Sequence, residues 1–315
     1  MVNKTAIKNR LFKFIALNVM TVCSLVSGQD RIGVLLLAHG SNDKAWEKTV
    51  SDMVEPLKSR YPLEIAFGMA DPVTMQEAID KLEANGVTRI VAIPLFISSY
   101  SPIIRQNEYL LGMRKVLADA PMIMRHVSEN HGSNHVAMRA KLGLPTLAPL
   151  RLNSKIALRR PLDDNALLVE IIRERIEELS TDPGNETVII VAHGPNDEED
   201  NKNWLKTMDS IVDQLHKKRE GNRSFFKQIF CVTARDDAEK AIYNQAKEHL
   251  RSLVYQSGKN GEVIVIPLFL AQGGVEGKIV ERLKGLKYEW SGKTLLPHQN
   301  VLRFVQQSIE ETLKP

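Results

Sequence analysis

Two histidines stand out by where they fall. His39 follows the charge-free run Gly33–Ala38 and precedes Gly40, and His193 follows Thr187–Ala192 and precedes Gly194. An apolar run of this kind reads as a strand buried on both faces of a parallel sheet. An imidazole at the strand's carboxyl end lies where open α/β sheets bind their ligands. Neutral imidazole is a good ligand for Co²⁺, Fe²⁺, Ni²⁺ or Zn²⁺. A lone His-Gly would suit a structural turn equally well; its recurrence favours the ligand reading, so His39 and His193 are the candidate metal ligands.

The elements that would position these rings also occur twice. After His39 come Trp46, Val50, Met53, Val54 and Leu57; after His193 come Trp204, Met208, Ile211, Val212 and Leu215, with the same spacing. That is the stripe of one buried helix face. Second strands follow at Leu63–Phe67 and Gln228–Val232, and third strands at Arg89–Ile93 and Glu262–Ile266, each running into Pro-Leu-Phe. Each unit then closes with a short strand and a helix, Ile156–Leu158 to Leu179 and Thr294–Leu296 to Leu313. Alternating strands and helices predict an α/β protein of two flavodoxin-like parallel-sheet lobes, related by a pseudo-two-fold duplication. His39 should then match His193, Trp46 match Trp204 and Pro94 match Pro267. Asp71 is expected to cap the helix that Pro72 opens, and Pro56 to end the first helix.

Composition bounds the rest. Hydrophobic residues make up 43% and charged residues 25% of the 315, as in a soluble globular protein. Residues 1–28 differ, with Lys4, Lys8, Arg10 and Lys13 ahead of a mostly apolar stretch that ends at Ser27-Gly28. This layout predicts a cleaved signal peptide and a periplasmic location, and the stretch is too short to span a membrane comfortably. The leader holds four of the 42 basic residues and no acid, so what remains balances the 38 acidic ones. No basic surplus is left for nucleic acid. Only Cys231 lies beyond the leader, which excludes a disulfide or thiolate cluster within the mature chain. The expected domains are 29–183, with an insertion at about 112–153, and 184–315, joined through the turn-rich Ser180–Asn185.

Ala38-His39-Gly40-Ser41, the Asp71-Pro72 turn, Gly86–Phe96 and the duplication together resemble the class II chelatases, in particular the sirohydrochlorin cobaltochelatase (CbiX-type) branch. The resemblance implies a chelatase-like fold and a lyase that inserts a divalent metal, Co²⁺ first among them, into a sirohydrochlorin-like tetrapyrrole, as in cobalamin biosynthesis. It implies that His39 holds the metal. The family also has a second ligand histidine about where Tyr100 stands. A phenol binds a divalent ion only after losing a proton whose ordinary pKa is near ~10, so Tyr100 is a weaker candidate at that place.

Further candidates surround this pair. Ser41 belongs to the motif itself. Glu276, in Gln272–Gly277, is a candidate ligand or base for pyrrole protons. Gly273 and Gly274 before a helix would offer free amides to substrate carboxylates, and Arg105, Lys278 and Arg235 would pair with the same groups. His126, His131 and His135 in the insertion read as a solvated loop, because Gly132 and Ser133 weaken any helix that would align them. The alternative reading is an exported tetrapyrrole or metal-binding protein that keeps the fold without turnover. A hydrolase on this scaffold finds neither a nucleophile elbow nor a nucleotide glycine loop in the sequence.

Overall fold

The computed structural model describes residues 30–41, 44–117, 147–217 and 226–314. The leader and the histidines of the insertion lie outside them. In the first lobe, β1 (Ile32–Ala38), β2 (Leu63–Phe67), β3 (Arg89–Pro94) and β4 (Lys155–Leu158) form one parallel sheet in the order β2-β1-β3-β4. The second lobe repeats it with β5 (Glu186–Ala192), β6 (Gln228–Thr233), β7 (Glu262–Leu268) and β8 (Glu289–Trp290), in the order β6-β5-β7-β8. The register agrees as well: Pro94 pairs with Leu37 and Pro267 with Val191, each two residues before the histidine. Val34–Ala38 and Val188–Ala192 are fully buried or nearly so, which is why neither run carries a charge.

The helices begin and end as their residues dictate. In the first lobe, α1 (Lys44–Val54) gives way to a short 3₁₀ turn, Glu55–Leu57, where Pro56 breaks the ladder. Asp71 accepts from the Val73 amide at 2.8 Å and Pro72 opens α2 (Pro72–Ala84); Ser101 likewise caps α3 (Pro102–Leu110). Trp46 of α1 and Trp204 of α5 (Glu198–Lys217) are both buried, as their shared spacing predicts, and α6 (Lys240–Gly258) follows β6. The fourth strand of the second lobe lies earlier than expected. It is Glu289–Trp290, and Leu295 and Leu296 instead donate to the carbonyls of Phe269 and Leu270 beyond β7.

The closing helices depart most from a reading of two self-contained units. Following β4, α4 (Ala166–Glu177) packs on α5 and β7 of the second lobe, and Asp164, just ahead of its Asn165 cap, accepts from Ser210 Oγ at 2.6 Å. The C-terminal α8 (Gln299–Leu313) packs on α1 and β3 of the first lobe, where Arg89 donates to the Thr312 carbonyl at 2.8 Å. Each lobe thus covers one sheet face with a helix from the other half of the chain. One core results, in which Val34 and Ile93 of the first sheet, Ile190 and Ile266 of the second and Ile172 and Val305 of the crossed helices form one cluster. At about 1.5–3 kcal/mol for each large side chain fully buried, this shared cluster outweighs any polar contact between the lobes. Among the described residues no helix is long and apolar enough to cross a membrane.

Candidate functional site

In strand order β2-β1-β3-β4 the chain leaves β1 toward one edge and returns beyond it, so the switch point lies between β1 and β3. His39 stands there, and His193 stands at the same point of the second sheet. Each turn requires its glycine. Gly40 and Gly194 adopt φ of 75° and 73°, and a Cβ on Gly194 would sit 2.4 Å from that of Thr233. In both turns the ring's Nδ1 faces the carbonyl of the following glycine, at 2.8 Å for His39 and 2.9 Å for His193. A carbonyl only accepts, so Nδ1 carries the proton and Nε2 of a neutral ring carries the lone pair.

The two rings differ in surroundings. His39 is exposed, its ring edge-on to Trp46 with centroids 6.4 Å apart. His193 is half-buried, and its Nε2 lies 3.3 Å from an Asp237 carboxylate oxygen. Burial works against charge on the His193 ring, yet the hydrogen bond and charge of Asp237 outweigh it, and its pKa is raised.

The carboxyl ends of the two sheets meet. Arg105 of α3 holds Asp200 of α5 through two hydrogen bonds of 2.9 and 2.8 Å. A Cβ built on Gly273 would lie 3.4 Å from Trp46, so the loop after β7 also rests against the helix that backs His39.

The sequence from 33 to 106, which spans β1 through the start of α3 and includes His39 and Tyr100, matches the CbiX family model. Related proteins include the sirohydrochlorin cobaltochelatase of Sulfolobus acidocaldarius, 38% identical over 69 residues, which are 22% of this chain and 56% of that protein. That of Sulfurisphaera tokodaii is 28% identical over 102 residues, 31% of this chain and 85% of that one. The chain thus spans little more than half the length of the first of these. The fold is shared with SirB from Bacillus subtilis, solved with Fe³⁺, at a TM-score of 0.56, 16% identity and coverage of 90% of this chain and 95% of that one. It is shared too with CbiX, the terminal enzyme of siroheme biosynthesis in denitrifying bacteria, at a TM-score of 0.51, 17% identity and coverage of 90% and 100%. Segment 33–106 is therefore similar to the CbiX family, and the fold is the one these solved chelatases share.

Several of the expected site residues have structural tasks. Arg105 is held by Asp200, and Arg235 is buried, with a left-handed φ of 49°, Nε donating to Pro195 O at 3.1 Å and Nη1 to Glu198 at 2.6 Å. Neither guanidinium is turned out toward a ligand. Gly273 and Gly274 do not form an empty cradle, because Glu276 accepts from both amides at 3.2 and 3.0 Å and so caps its own helix, α7 (Val275–Arg282). A carboxylate at that position is a natural partner for a helix N-terminus, and a substrate carboxylate would have to displace it. Lys278 pairs with the buried carboxylate of Asp236.

Tyr100 lies 38% exposed on the loop after β3, with its own amide donating to Ser98 Oγ at 3.1 Å. Ser41 follows Gly40, half-buried. Among the described residues no three His, Cys, Asp or Glu side chains converge as a metal cage. Two cavities, of 180 and 380 Å³, flank Arg159 and Arg160 and include neither histidine. Asp237 is the residue that sequence reasoning undervalued. It stands four places beyond β6, as Asp71 stands four beyond β2, and that repeated position was the available signal.

Proposed function

We propose that this chain inserts a divalent metal ion into a sirohydrochlorin-like tetrapyrrole at the joined carboxyl ends of its two sheets, with His39 receiving the metal. The observation that carries the reading is that His39, at the switch point of the first sheet, falls inside the CbiX-matching segment 33–106. Its Nδ1–H is committed to the Gly40 carbonyl, which is the tautomer that directs a lone pair from Nε2 to a metal. Co²⁺ is the first candidate substrate, with Fe²⁺, Ni²⁺ and Zn²⁺ as others of suitable softness. Insertion needs an ion partly stripped of water and held above the ring, and an acceptor for two pyrrole protons. The leader is part of the proposal: its basic start, apolar middle and small-residue end support removal of residues 1–28 and export.

The test is a spectrophotometric assay with sirohydrochlorin and each metal. Metallation faster than in protein-free solution is expected. Tight tetrapyrrole binding with no metallation by any ion would contradict the enzyme reading and favour a carrier.

A further inference from the structure

The second lobe's histidine is built differently from the first's. Nδ1 of His193 faces the Gly194 carbonyl at 2.9 Å and Nε2 faces Asp237 at 3.3 Å. Both neighbours are acceptors, so the site stabilises the ring once a neutral imidazole, its Nδ1–H on the Gly194 carbonyl and Asp237 ionised, has taken up a proton at Nε2. The Nε2 lone pair of the neutral ring faces Asp237, which a metal would have to displace.

The turn that presents Asp237 is fastened from several directions. Arg235 is bound to Pro195 and Glu198, and Asn196 Nδ2 donates to the Asp237 carbonyl at 3.0 Å. Asp236, its carboxylate buried, holds Arg282 at 2.5 Å and Lys278. The charged groups around the ring are therefore already matched: Asp236 with Arg282 and Lys278 of α7, Arg235 with Glu198 of α5. In the first lobe the aspartate at the corresponding place, Asp71, caps α2 instead.

Resting on the chelatase reading, we infer that His193 and Asp237 together form a proton acceptor, taking a pyrrole N–H proton as the metal enters the ring. A divalent ion entering the macrocycle displaces two N–H protons, and the electron pairs of those bonds become metal–nitrogen bonds. One proton goes to Nε2 of the neutral His193 ring, converting it to an imidazolium beside the Asp237 carboxylate, and then passes on to solvent; the other leaves to solvent directly. The side chains are 35% and 37% exposed, enough for that exchange. His193 is the base, and Asp237 the positioning residue that holds the ring and stabilises its charge. The duplication thereby separates two tasks that one imidazole cannot perform at once, metal ligation by His39 and proton acceptance by His193.

Two measurements test this. In the first, ring ¹⁵N NMR follows His39 and His193 against pH with and without Zn²⁺. Zn²⁺ should stop His39 from titrating while His193 continues to titrate, and Asp237→Asn should lower the His193 midpoint. In the second, single-turnover Co²⁺ insertion into sirohydrochlorin is measured against pH. His193→Gln and Asp237→Asn should each slow it by about 10²-fold and remove the rise of rate with pH, with Co²⁺ affinity unchanged. The inference is overturned if Zn²⁺ silences His193, or if both variants keep the wild-type rate and pH profile. A wild-type chain inert with every metal instead overturns the chelatase reading, and the inference with it.

Discussion

Arg105 and Asp200 join the two lobes at the mouth of the site through a two-pronged ion pair, with side chains 22% and 10% exposed. The planar guanidinium matches the carboxylate in both distance and direction, a geometry that lysine cannot reproduce. Because α3 follows the loop of Tyr100 and α5 follows the turn of His193, the pair sets how those two segments face each other.

Breaking this pair should cost more than breaking a surface one. Exposed pairs contribute at most about 1 kcal/mol and removing one partner of a fully buried pair costs about 3–5. Arg105→Ala, intermediate in burial, should destabilise by about 2 kcal/mol in denaturant unfolding, and Arg105→Lys should restore only part of it. A loss below about 0.5 kcal/mol would show that the shared core alone holds the lobes together.

The link into β5 should give the chain a distinct acid sensitivity. Burial would raise the pKa of Glu186, but the amides of Asp182 and Thr181 and the hydroxyl of Ser180 outweigh it and hold the carboxyl below the usual range. A group whose folded pKa is lowered stabilises the fold above its unfolded pKa and loses that contribution as pH falls through the folded value. Glu186→Gln should therefore cost about 1–3 kcal/mol at neutral pH and much less near pH ~3. Equal losses at both pH values would place the contribution in shape rather than charge.

Much of this architecture was legible in the sequence, and the reason is periodicity. Fully buried strands exclude charge, and a helix with one buried face repeats its apolar residues. Both copies of each pattern could therefore be matched, down to Trp46 with Trp204 and Pro94 with Pro267. Periodicity says which face is buried but not what covers it. The stripe of Leu168, Ile172 and Ile176 is equally suited to either sheet, and the exchange of α4 with α8 is decided by tertiary packing. At the site, His39 and His193 were legible as strand ends freed by glycine. The partners were not, because Arg105 with Asp200 and Glu276 with the Gly273 and Gly274 amides depend on distances that residue type does not carry.

Tyr100 tests how far this chain departs from a two-histidine site. A phenol must give up its proton to bind a divalent ion, whereas a neutral imidazole offers its lone pair at once. Tyr100→His should raise Co²⁺ affinity by about tenfold or more and speed metallation, measured by metal titration and by the absorbance assay. The loop is exposed, so the substitution should leave thermal stability unchanged within about 0.5 kcal/mol. Unchanged affinity would mean that position 100 does not face the metal.

The most direct test of the central claim is to compare the wild-type chain with His39→Ala for Co²⁺ insertion into sirohydrochlorin, together with tetrapyrrole binding by fluorescence quenching. The wild type should metallate the ring, and His39→Ala should lose about 10²-fold or more of that rate while tetrapyrrole affinity stays within about twofold. If His39→Ala inserts cobalt at the wild-type rate, His39 is only a turn residue and the metal enters elsewhere.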